Sequence, residues 1–149
     1  MSPSSPEISQ LPATPRRYTL RNYGVPRKDA VDYWQLVESI VYKHLLYTYG
    51  NTHKLGYVML KGKDKKEVDF AISRPTDDRF LCEVKYKNDS SISRRDALAQ
   101  LCAESRTLGA FLITRNPGDF GIASLTEGAR PIIRIPAASF CYLLKGVSY

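Results

Sequence analysis

The spacing of hydrophobic positions changes along the chain, and each change marks an element. Over residues 29–49 apolar side chains recur at helical spacing, with Trp34, Val37, Val41, Leu45 and Thr48 on one line and Ile40 and His44 beside it. Asp29 suits an N-cap, Asp32 adds negative charge to the first turn, and Gly50 supplies a stop. The period then shortens to two. Residues 54–60, 67–73 and 79–86 read as three strands, parted by the turn residues Gly62-Lys63-Asp64 and Pro75-Thr76-Asp77-Asp78. Helical spacing returns at Ser93, whose hydroxyl can cap while Asp96 sits in the first turn. Ala97, Leu98, Leu101, Cys102 and Leu108 form the apolar face, and Gly109 ends it. Residues 110–114 and 131–135 are short, nearly continuous apolar runs of the kind found in strands covered on both faces, and 137–144 reads as a closing helix. A helix between strands implies a mixed sheet with helices packed over it, so the expected class is α/β.

Period two also decides which side chains are neighbours. In the second strand it puts Val68, Phe70 and Ile72 on one face and Glu67, Asp69 and Ala71 on the other. In the third, Leu81, Glu83 and Lys85 share a face, opposite Cys82, Val84 and Tyr86. Two carboxylates and an ammonium would then meet on adjacent strands. Glu38 adds a third acid, placed inside the apolar stripe of the first helix. Its helical neighbours are Trp34, Gln35, Val41 and Tyr42, none of them cationic. A core-facing carboxylate needs a partner from elsewhere: a metal, a sheet lysine or a tyrosine hydroxyl.

Paired carboxylates suit a hard cation such as Mg²⁺ or Mn²⁺, which can activate a water, and Lys85 could orient that water or stabilise developing negative charge. The other reading of Asp69, Glu83 and Lys85 is a solvated salt-bridge face.

Composition narrows the surroundings. The 149 residues suffice for one domain, and residues 1–17, rich in Pro and Ser, are expected to form a flexible tail ahead of a domain over 18–149. The net charge of +7 suits a polyanionic partner such as nucleic acid, or merely gives a basic surface. Lys61, Lys63, Lys65 and Lys66 precede the second strand and Arg94 and Arg95 open the second helix; if they flank the site they would touch phosphates without reading sequence, and otherwise Lys63 to Lys66 form a solvated turn. The 3 cysteines are widely spaced, with no CxxC pair and no histidine nearby, which argues against zinc and for buried thiols in a reducing, cytoplasmic setting. No apolar run has membrane-spanning length. Gly56 to Lys63 superficially suggests a phosphate loop, but Asp64 stands where a Ser or Thr should reach magnesium.

Glu38, Glu67-Val68-Asp69-Phe70 and Cys82-Glu83-Val84-Lys85-Tyr86 together resemble the active-site pattern of the PD-(D/E)XK nuclease superfamily. More narrowly, the chain resembles the domain of uncharacterised function that ends a family of prokaryotic AAA-type ATPases. That resemblance begins at Tyr18-Thr19-Leu20-Arg21-Asn22-Tyr23-Gly24-Val25 and continues through Leu36 to Tyr42 and Gly109 to Thr114. The family commonly carries Asp at Asn22 and Asn at Ser39. The resemblance implies a restriction-endonuclease-like α-β-β-β-α-β core, with Asp69 and Glu83 as Mg²⁺ ligands, Lys85 as the catalytic lysine and Glu38 as the helix acid. It implies Gln100 as an accessory residue, DNA as substrate and an ATPase as partner. The contrasting expectation is an inactive nuclease-fold module that binds DNA or a protein.

Overall fold

The computed structural model describes residues 8–10, 33–60, 62 and 66–146. A 7-stranded sheet carries the chain in the order β1-β2-β3-β4-β5-β7-β6. Its strands are β1 (Ile8–Gln10), β2 (Lys54–Met59), β3 (Glu67–Ser73), β4 (Arg79–Lys85), β5 (Thr107–Thr114), β6 (Gly121–Ala123) and β7 (Ile132–Pro136). Among the described residues three helices cover it, α1 (Tyr33–Tyr49), α2 (Ala97–Leu101) and α3 (Ala137–Lys145). Strands β1 to β4 form an antiparallel series; β4, β5 and β7 run parallel, and β6 closes the edge antiparallel to β7. The mixed sheet and the α-β-β-β-α-β order of α1 to β5 are those expected from the sequence.

Each face of the sheet has its own core. On one side Val68, Ala71, Leu81, Ala110 and Leu112 pack beneath Leu98 and Leu101 of α2. On the other, Phe70, Ile72, Cys82 and Ile113 pack beneath Val41, Tyr42 and Leu45 of α1 and Phe140 of α3. Ile113 and Leu112, adjacent in sequence, are both fully covered, as a strand sandwiched between helical layers must be.

Four departures from the sequence reading have local causes. Simple alternation fails in β3: Val68 packs with Ala71 and not with Phe70 and Ile72. Gly56 pairs with Ala71 but Val58 with Val68, so β3 spends three residues where β2 spends two. This β-bulge turns Val68 to the other face and bends the strand beside Asp69. The second helix is only Ala97–Leu101, and Leu108 and Gly109 belong to β5. Arg79 draws Glu104 away at 2.6 Å, and the Thr107 hydroxyl donates to the Leu101 carbonyl at 2.7 Å; both contacts hold the chain in a turn. Helix α1 buries Glu38, Ser39, Val41, Tyr42 and Leu45, leaving Trp34 37% and Ile40 40% exposed, so its covered stripe is rotated from the expected line. Finally, Ile8–Gln10, expected within a flexible tail, pairs with β2. Asp29, Asp32, Lys61, Lys63, Lys65 and the segment 18–25 lie outside the described residues.

Candidate functional site

The candidate site is built where β3 and β4 stop pairing through their backbones. The ladder runs from Ser73 opposite Arg79 to Phe70 opposite Cys82. Beyond it, side chains take over the hydrogen bonds. The Val84 N–H donates to Asp69 Oδ2 at 2.8 Å, and the Asp69 backbone in turn hydrogen-bonds the Glu83 carboxylate. The bulge supplies the extra residue that lets the Asp69 carboxylate reach across.

The electrostatics follow from this crowding. Glu83 Oε2 is buried and has no hydrogen-bond partner among the described residues. Burial first, then the Asp69 charge, push the Glu83 carboxyl up to about 8; Lys85 and the Asp69 backbone bond pull it down, and Asp96 adds a smaller upward push. The neighbouring Cys82 thiol is also pushed far up, by burial and by Asp69, which leaves it an inert core group.

Lys85 stands two residues beyond Glu83 on the same face, as strand parity requires. Its Nζ donates to the Ser91 carbonyl at 2.8 Å and to Asp96 Oδ2 at 3.4 Å. Asp96 is the extended residue preceding α2, but its carboxylate caps nothing in the helix; it also accepts the Ser93 N–H at 2.8 Å. Sequence reasoning gave Asp96 a role in the first turn and missed its ionic one. The available signal was topological, since the crossover from β4 must bring the start of α2 back over Lys85.

The remaining sequence-predicted residues fall around this centre unequally. Glu38 is buried on α1, whose neighbouring Val41 and Tyr42 pack against the face opposite Leu81, which Glu83 and Lys85 share. Among the described residues no three His, Cys, Asp or Glu side chains gather as a metal-holding group. Gln100 is exposed and donates to the Arg95 carbonyl at 2.9 Å, the same oxygen that Lys66 Nζ reaches at 2.9 Å. Arg94 and Arg95 directly precede Asp96 in the turn before α2 and both are exposed; Arg94 Nε donates to the Leu125 carbonyl at 2.6 Å.

A single α/β domain thus holds an acid–acid–lysine cluster at the point where two antiparallel strands part, with a short crossover helix beside it. The chain belongs to the family described as Domain of unknown function (DUF4143), whose model matches residues 35–135 and so takes in both strands of the cluster. No curated protein and no solved structure matches it.

Proposed function

We propose that this domain is a Mg²⁺- or Mn²⁺-dependent hydrolase of DNA phosphodiesters with a restriction-endonuclease-like core. The observation that carries the reading is the juxtaposition of Asp69 and Glu83, close enough for each to bond the other's strand, with Lys85 next on the same face. The residues fit a small divalent cation. Two carboxylates adjoin, and Glu83 Oε2 is a buried oxygen with no hydrogen-bond partner among the described residues. With two protein carboxylates the remaining positions would be water, which is the habit of Mg²⁺. A cation held there would lower the pKa of a water and neutralise charge on a phosphoryl group. The chain's own part is to fix geometry and charge. Asp69 is held by Val84, Lys85 brings a positive charge anchored by Ser91 and Asp96, and Glu83 releases its proton to act as an anionic ligand. Lys66, Arg94 and Arg95, grouped beside the start of α2, would contact the phosphate backbone. Family membership supports the narrower reading as the terminal domain of a AAA-type ATPase, working beside that motor.

One observation favours a non-catalytic DNA- or protein-binding module: Lys85 is already neutralised by Asp96, and Asp69 already serves as a structural acceptor. The two readings separate in one assay. Purified protein is incubated with supercoiled and branched DNA in Mg²⁺ or Mn²⁺, beside Asp69→Ala and Lys85→Ala. Cleavage lost in both variants supports the hydrolase; cleavage that is absent, or unchanged by both substitutions, sinks it.

A further inference from the structure

A second site lies at the far end of the sheet, on the opposite face from Glu83 and Lys85. A pocket of about 510 Å³ opens between the ends of α1 and α3, within the span of roughly 300–1,000 Å³ usual for small-molecule sites. Phe80, Phe111 and Phe140 give it an aromatic wall and Leu144 an aliphatic one. All come from elements fixed by the sheet or by α3, so the cavity is preformed. Tyr49 also lines it, and its nitrogen-bearing side chains are two, His53 and Arg74.

Those two residues define the chemistry. Arg74 follows β3 and is exposed, and among the described residues its guanidinium meets no carboxylate. Its backbone is pinned instead, the N–H donating to the Asp78 carbonyl at 2.8 Å and the carbonyl accepting from Asp77 at 3.0 Å. His53 is steadied by an edge-on ring contact with Tyr49 at 5.1 Å and by Thr52 Oγ1 at 2.8 Å from Nδ1, which leaves Nε2 for another partner. A deep apolar body with a cation and an imidazole at its edge matches a ligand with one hydrophobic part and one anionic end. We infer that this pocket binds a small amphipathic carboxylate, with its apolar body against Phe80, Phe111 and Phe140 and its anionic group at Arg74 and His53. The shared chemistry covers aliphatic and aromatic acids, and the site is independent of the Asp69–Glu83 cluster.

The test uses the full chain with methyl-labelled Ile and Leu, titrated with decanoate, 2-naphthoate and the neutral decanol. The expected result is saturable one-to-one shifts at the Ile72 and Leu144 methyls for at least one of the acids. Arg74→Gln, on an exposed side chain, should weaken that acid about tenfold while leaving decanol unchanged, as the loss of a charge-assisted hydrogen bond would. Leu144→Trp, which fills the pocket, should abolish the shifts. Tighter binding of decanoate assigns the aliphatic form and tighter binding of 2-naphthoate the aromatic one. Shifts that never saturate, or affinity for the acids unaltered by Arg74→Gln, overturn the inference.

Discussion

Asp69 is tied to the Glu83–Val84 stretch of β4 at the end of a strand pair. Asp69 Oδ2 accepts the N–H of Val84, the residue after Glu83, at 2.8 Å, and the Glu83 carboxylate is hydrogen-bonded by the backbone of Asp69. The two residues therefore close the β3–β4 ladder where its backbone pairing ends, and a cation held there as proposed would act on the fold at the same point.

That dual role can be divided by substitution. Asp69→Asn keeps an oxygen for the Val84 N–H, whereas Asp69→Ala leaves that donor without its partner, at a cost of about 1–3 kcal/mol. Amide exchange at Val84 should accelerate clearly in the Ala variant and only slightly in the Asn variant. Removing the Asp69 charge should also lower the Glu83 pKa in both, read from the side-chain carboxyl ¹³C shift. A Glu83 titration unmoved by Asp69→Asn would refute the charge coupling.

Stability should depend on pH through Glu83. In the unfolded chain its carboxyl ionises near the ordinary 4.5, but in the fold it holds its proton up to about 8. Between those values the native state binds the extra proton, so stability falls as pH rises through the window and levels off above it. Glu83→Gln removes that slope. The variant should match the parent near pH 4 and exceed it at pH 9 by on the order of 2–4 kcal/mol in urea unfolding. A parallel pH dependence in the two proteins would contradict the raised value.

Much of this site was legible in the sequence because strand parity is local. Glu83 and Lys85 share a face whatever the rest of the chain does, and β3 to β4 needed only alternation and a turn to be found. The bulge at Val68 was not legible, because its signal is a mismatch with β2 that exists only once the strands pair. The early end of α2 was hidden for the same reason: it depends on Glu104 meeting Arg79 from another strand. Strand β6 has three residues and no alternation to detect. The burial of Glu38 on α1 was legible from the apolar stripe around it, but helix periodicity carries no information on which face of the sheet the helix will cover.

The Arg79–Glu104 pair is structural, and its removal should show that. Arg79 has 1% of its side chain exposed, and burial lowers its pKa even with Glu104 at 2.6 Å. Breaking the pair by Glu104→Ala would strand a buried guanidinium and should cost about 3 kcal/mol. Replacing both residues, as Arg79→Met with Glu104→Leu, should restore most of the loss, because two neutral side chains no longer need each other. Chemical denaturation of the parent and the two variants measures this; a double variant no more stable than Glu104→Ala would show that the ion pair itself is indispensable.

The loop between β4 and α2 depends on Asp96, which accepts from both Lys85 and the Ser93 N–H through Oδ2. The Lys85 contact is long and its partner well exposed, so it should contribute less than about 1 kcal/mol to global stability. Its effect is local order. Asp96→Ala should leave the unfolding midpoint nearly unchanged while amide exchange at Ser93 rises by about tenfold, the loss expected for one backbone hydrogen bond of ordinary strength. Among the described residues the Lys85 ammonium would then retain the Ser91 carbonyl, at 2.8 Å, and its side-chain relaxation should report greater motion. If Ser93 exchange is unaltered while the midpoint falls by several degrees, Asp96 serves the whole fold and not the loop that holds Lys85.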